Sequence, residues 1–197
     1  MLAAEARQLA TQREVIMLTR EARALVTLIQ ERCPGCRRGA EIGVWHGLTS
    51  AAMLMKFPDL QLLAVDPWDL GEFNPTMPKN TQELTEARLA FHRWTDAYAA
   101  RRIVIQDTSF KAAEWIADWC LDFVFIDAVH TYEFIRRDLE LYYPKVKPGG
   151  LFSGHDYCSQ QNRTKLFGVR RAVNEFAELN GVTVNVAPSS IWWWIKP

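Results

Sequence analysis

The sequence predicts an α/β fold: one doubly wound, mostly parallel sheet of about seven strands, the last one antiparallel, with helices in front of it. Three observations point there. Short apolar runs recur near residues 40, 62, 103, 122 and 151, separated by stretches of helical periodicity, which is the alternation of a parallel sheet; a barrel would need more units. Glycine, acid or histidine stands where these runs end, at Gly43, Asp66, Asp127 and His155. Two further runs close the chain as a candidate hairpin.

Taken in order, residues 2–32 carry Leu9, Ile16, Leu25, Leu28 and Ile29 on roughly helical spacing with Arg and Glu between them, so they read as two helices. This extension, over 1–36, offers a packing or homodimer surface to a single domain over 37–197. Pro34-Gly35 stops it, and the first strand follows at about Ala40 to Val44. Leu62 to Val65 is the second, ending in Asp66. The loop from Pro67 to Asn80 holds Trp68, Phe73 and Met77 among polar residues, Pro and Gly; it reads equally as a lid over a substrate and as a surface excursion. Thr81 is placed to cap a helix that buries Leu84, Ala87, Leu89, Phe91 and Trp94 and leaves His92 at the surface.

Ile103 to Ile105 forms the third strand, followed by Gln106-Asp107-Thr108-Ser109, which suits the cap of a helix over Lys111 to Trp119. Leu121 to Ile126 ends in Asp127, and Gly150 to Gly154 ends in His155-Asp156. A helix over Val169 to Leu179 stops at Asn180-Gly181, before the runs Val182 to Val186 and Ile191 to Ile195. Trp192, Trp193 and Trp194 read as a sheet edge covered by helices, because no basic stripe accompanies them as a base-stacking platform would require.

Composition narrows the function classes. With 197 residues the chain is the length of one α/β domain, and 23 basic against 23 acidic side chains argue against a nucleic-acid partner. No apolar run reaches the roughly 20 residues of a membrane span, and the start lacks a charged segment followed by an apolar core. A cytoplasmic protein is expected. Four cysteines do not suggest a disulfide framework. Cys33-Pro-Gly-Cys36 has no second pair for zinc and precedes a strand, so it reads as an ordinary turn.

The chemistry concentrates where the first strand becomes a helix, at Gly39 to Ser50. Gly43 and Gly47 permit backbone angles and close approaches that a side chain forbids, and Thr49 or Ser50 can cap the helix. Asp66, 23 positions past Gly43, stands where a doubly wound fold sets an acid on a ribose diol. A dinucleotide fingerprint would bring bare amides against a pyrophosphate. This turn instead carries Trp45 and His46 beside Glu41, whose carboxylate repels phosphate and favours a cationic ligand end. Three of four histidines also fall at strand ends: His46, His130 three residues past Asp127, and His155 beside Asp156. Any one alone reads as a core histidine; grouped with two aspartates they read as a site.

The pattern from Glu41 through Gly43 and Gly47 to Thr49 resembles motif I of class I S-adenosylmethionine-dependent methyltransferases. Phe125 to Glu133, Asp138-Leu139, Pro148-Gly149-Gly150 and Gly154-His155-Asp156-Tyr157 resemble the branch of macrocin-type sugar O-methyltransferases and cephalosporin hydroxylase-like proteins, over about residues 38–158. The resemblance implies a Rossmann-like fold and methyl transfer from S-adenosylmethionine to a small-molecule hydroxyl. It puts Glu41, Gly43 and Gly47 at the methionine end, Asp66 on the ribose, Asp107 and Ser109 near adenine and Asp127 by the cofactor, with Trp45 and His46 against either the cofactor or the acceptor.

In members that bind a divalent cation, such as magnesium or manganese, carboxylates at the ends of strands four and five hold it, matching Asp127 and Asp156. His155 stands where the sugar enzymes carry a second acid, and imidazole suits manganese, iron or zinc better than magnesium. Without a metal, His130 or His155 serves as general base directly, and Asp127, His155 and Asp156 are assigned to metal or base. Two rivals share the sheet: a nicotinamide-dependent oxidoreductase, and a homologue that binds the cofactor without turning over.

Overall fold

The computed structural model describes residues 19–68, 80–158 and 167–197. The first of the two expected N-terminal helices and the loop residues Phe73 and Met77 lie outside these residues. Among the described residues seven strands form one sheet: β1 Arg38–Ile42, β2 Gln61–Val65, β3 Arg102–Ile105, β4 Leu121–Ile126, β5 Val146–Gly154, β6 Asn185–Ala187 and β7 Ile191–Ile195, in the order β3-β2-β1-β4-β5-β7-β6. β1 to β5 pair in parallel, and β7 runs antiparallel between β5 and β6. The tryptophan run is therefore not at the edge, which belongs to β6. Strand order reverses between β1 and β4, so a crevice opens outside their carboxyl ends, where open sheets bind ligands.

Helices cover both faces: α1 Arg20–Arg32, α2 Leu48–Lys56, α3 Thr81–Thr95, α4 Ser109–Glu114, α5 Tyr132–Tyr142 and α6 Val169–Leu179. A strand buried on both faces reads as a continuous apolar run, and β4 shows why. Its Phe123 and Phe125 enter one core with α1, α2 and Leu151, while Val124 and Ile126 enter the other with α5, α6, Phe152, Trp192 and Trp194. α1 packs into the first core through Ala22, Leu25, Val26, Leu28 and Ile29. It runs back across the sheet: Cys33, at its end, donates its thiol to the Asp122 carbonyl at the start of β4, so the N-terminus of α1 lies toward the strands' carboxyl ends. The Cys33–Cys36 segment is a turn with free thiols and Gly35 at φ 78°.

Several local expectations are corrected. α3 is capped by Asn80, whose side chain accepts from the Glu83 amide while Glu83 accepts from the Asn80 amide, a capping box that displaces Thr81 by one position. Its buried positions are Ala87, Phe91 and Thr95, and Leu89 is exposed. α4 ends at Glu114, leaving Trp115 and Trp119 at the surface. Among the described residues no helix is long and apolar enough to cross a membrane.

Candidate functional site

The turn after β1 is fixed from several sides. Gly43 adopts φ 87°, and a Cβ there would sit 2.1 Å from the Asp127 carbonyl oxygen, so only glycine lets β1 end against the end of β4. Asp66 is the anchor. Its Oδ2 accepts from the amides of Val44 and Trp45 at 2.9 and 2.8 Å, and its Oδ1 from that of Trp68 at 2.8 Å. Trp45 is held at φ 52°, an uncommon conformation for a bulky residue, and its carbonyl accepts the Trp68 indole N–H at 2.9 Å. Trp68 is buried against Phe91, which removes it from the apolar loop surface expected to face a substrate. His46 packs edge-on against Trp45.

Glu41 is 1% exposed and accepts the hydroxyls of Thr49 and Ser50. Those hydroxyls therefore do not cap α2, whose N-cap is Gly47 in the left-handed conformation. Burial pushes the Glu41 carboxyl up to about 8 despite the two hydroxyl bonds that favour its charge. The charges of Glu21 and Asp127 add to that push, so these three acids share one electrostatic neighbourhood.

At the ends of β4 and β5 the predicted residues converge. His130 Nε2 lies 3.2 Å from Asp127 Oδ1 and 3.1 Å from Asp156 Oδ2, and His155 Nδ1 lies 3.5 Å from the same Asp156 oxygen. Strand pairing sets this up: the Asp127 amide donates to Ile42 and the His155 amide to Ile126. Asp156 takes φ 63°, a conformation costing a non-glycine residue about 1–3 kcal/mol that recurs at functional sites. Phe167 stacks on the His130 ring, and the Trp192 indole donates to the His155 carbonyl.

Burial by itself would favour neutral imidazoles. The carboxylates overcome it, raising His130 through its bond to Asp127 and His155 to about 9 through Asp156 and Asp127. Asp127, opposed by the same burial, is held below its ordinary value by His130 and His155.

A fifth group arrives from outside the motifs. Glu21, in the first turn of α1, brings a carboxyl oxygen within 4.8 Å of both an Asp127 oxygen and a His155 ring nitrogen. Burial, followed by the charge of Asp127, pushes it up to about 7. The legible signal was positional: a helix leading directly into β1 must start above the strands' carboxyl ends, so an acid in its first turn points at the site. Asp107 and Ser109 stand apart. The Asp107 carboxylate accepts the Thr108 amide at 2.8 Å, Thr108 caps α4, and the Ser109 carbonyl accepts the Tyr142 hydroxyl.

The donor set fits a divalent cation chemically. Three carboxylates and two imidazoles converge, and His155 Nε2 is buried without a partner among the described residues.

Comparison with known proteins places this geometry. A search of curated proteins finds no match. Solved structures share the fold at low identity. A Staphylococcus aureus protein assigned to the caffeoyl-CoA O-methyltransferases superposes with TM-score 0.65 at 18% identity, over 90% of this chain and 83% of that one. The O-methyltransferase TomG of Streptomyces achromogenes, solved with S-adenosylmethionine, gives 0.64 at 14%, over 90% and 80%. A Bacillus cereus O-methyltransferase holding S-adenosylhomocysteine gives 0.62 at 14%, over 95% and 88%. A family described as a methyltransferase domain matches residues 40–157, more than half the chain and every site residue predicted from the sequence, with Glu21 outside it. The chain belongs to that methyltransferase family.

Proposed function

We propose that the chain transfers a methyl group from S-adenosylmethionine to the hydroxyl of a small molecule. The observation that carries this reading is the convergence of Asp127, His130, His155 and Asp156 beside the glycine turn, at the sheet's switch point. The turn itself disfavours a dinucleotide. The Val44 and Trp45 amides, which would have to face a pyrophosphate, already donate to Asp66. A phosphate-free adenosine compound with a cationic methionine end meets no such conflict, since its charge favours the ionised forms of Glu41 and Glu21.

In this reading Gly43, Trp45, His46 and Gly47 shape the wall beside the methionine end, with Glu41 supplying charge from behind it. Asp66 fixes the turn and offers its remaining lone-pair capacity to the ribose, and Asp107 and Ser109 flank the adenine. The sulfonium is already activated, so the protein's task is alignment and deprotonation. Alignment is worth roughly 7 to 11 kcal/mol. The acceptor's oxygen attacks the methyl carbon, the carbon–sulfur bond breaks, S-adenosylhomocysteine leaves, and the hydroxyl proton passes into the network of His130, His155 and Asp156. His155, raised to about 9 by Asp156 and Asp127, is protonated near neutral pH in the free chain, so it must lose that proton before it can accept another, and the same carboxylates shift His130 in the same direction. A divalent cation, when bound by Asp127, His155 and Asp156, would lower the acceptor's pKa and orient it as a Lewis acid.

The four free thiols agree with a cytoplasmic setting. Because the apolar side of α1 packs within the chain, a homodimer through this helix would use its outer, charged side. A thermal-shift screen tests the assignment: S-adenosylhomocysteine is expected to raise Tm and NAD to leave it unchanged, and the reverse would move the protein to the oxidoreductases.

A further inference from the structure

Glu21 lies outside the segment matched to the methyltransferase family, yet its carboxyl reaches the centre of the site. Two triads of donors form there, Glu21–Asp127–His155 and Asp127–His130–Asp156, with Asp127 common to both and all donor atoms of each triad within 4.8 Å of one another. Among the described residues no lysine or arginine pairs with Glu21 or Asp127, and the basic side chains beside them are the two imidazoles. Two half-buried carboxyl groups this close favour a shared proton or a cation between them.

We propose that Glu21 is a ligand, together with Asp127 and His155, to a first-row divalent metal ion. The inference rests on the metal-assisted form of the reading above, keeps Asp127 and His155 from its ligand set, and puts Glu21 in the place given there to Asp156, which groups instead with Asp127 and His130. A mixed set of carboxylate oxygen and imidazole nitrogen matches manganese, iron or zinc better than magnesium, which takes oxygen and water. Glu21 would tie the start of α1 to the strand ends through the ion, so the helix in front of the domain becomes part of the metal site.

Manganese binding tests this without relying on turnover. The full chain is titrated with manganese(II) chloride, following the free ion's six-line electron paramagnetic resonance signal, and each variant is titrated calorimetrically with S-adenosylhomocysteine. Wild type is expected to bind one manganese ion. Glu21→Gln and Glu21→Asp are each expected to weaken it by about 10-fold or more, with S-adenosylhomocysteine affinity retained. Nitrogen coupling to the bound ion in wild type, absent in His155→Ala, marks the imidazole ligand.

Wild-type manganese affinity in Glu21→Gln, or no manganese binding by wild type, overturns the proposal. Either result, with S-adenosylhomocysteine still bound, leaves the methyl-transfer reading standing. Failure of wild type to bind S-adenosylhomocysteine removes that reading instead.

Discussion

On the β1–β2 side of the site, Asp66 satisfies three backbone amides and Glu41 is satisfied by two hydroxyls, whereas on the β4–β5 side Asp127 and Asp156 share one His130 nitrogen and His155 Nε2 has no partner among the described residues. The first side is complete within the chain. The second is a set of charges whose balance a ligand or proton must change. The contrast teaches which residues build the cavity and which handle the reaction: a group whose bonds are closed internally contributes shape, and one held in mutual electrostatic tension contributes chemistry.

The largest expected effect comes from breaking the closed side. Asp66→Ala orphans the amides of Val44, Trp45 and Trp68, and each buried unsatisfied donor costs about 1–3 kcal/mol. The turn is expected to lose its shape, with calorimetric S-adenosylhomocysteine affinity falling by about 100-fold or more and Tm falling with it. Wild-type affinity in this variant would show that the turn is held by other contacts and that the contrast is misdrawn.

Next is the open side. Asp156→Ala removes a partner of both His130 and His155 without touching Gly43, Asp66 or Glu41. Binding of S-adenosylhomocysteine is expected to survive within a few-fold, while methyl transfer drops by roughly 10²–10⁴. Concurrent loss of cofactor binding would merge the two sides into one cooperative unit.

Much of this contrast was legible in the sequence. A parallel sheet buried on both faces writes its strands as apolar runs, and the rule that ligands sit at strand carboxyl ends selects Asp127, His130, His155 and Asp156 from position alone. What escaped was set by contacts distant in sequence. Thr49 and Ser50 look like caps because local hydrogen bonding is all a sequence displays, yet both hydroxyls turn to buried Glu41. Trp68 reads as a loop residue, over a substrate or at the surface, because its partners, Trp45 and Phe91, are more than 20 positions away. Glu21 carries no motif at all, and only the direction of α1 across the sheet brings it to the site.

A third effect, smaller, separates the sides by pH. His155 is held up at about 9 against an ordinary 6.5, so the stability it contributes is full below about 6.5 and lost as pH rises through 9. Glu41, raised by burial to about 8 from 4.5, also favours the folded chain only while protonated, so its contribution fades between those values. Both signs agree across the window from pH 6.5 to 8. Tm of the ligand-free chain is expected to fall from pH 6 to pH 9, and Glu41→Gln, which cannot ionise, to fall less steeply. Identical slopes would mean that Glu41 is ionised throughout and that its side is not closed.

The smallest effect concerns Asp107, which belongs to neither side. Its carboxylate holds the Thr108 amide at the start of α4, and an exposed or half-exposed bond of this kind contributes about 1 kcal/mol. Asparagine keeps an oxygen in the same place, so Asp107→Asn is expected to preserve the helix start, with Tm within about 2–4 °C of wild type. If this carboxylate also meets the adenine's exocyclic amine, loss of its charge weakens that bond alone, and S-adenosylhomocysteine affinity falls by several-fold while inosine-containing S-inosylhomocysteine, which lacks the amine, is affected less. Equal changes for the two ligands would confine Asp107 to holding α4, and the adenine contact would have to come from another residue at the edge of β3.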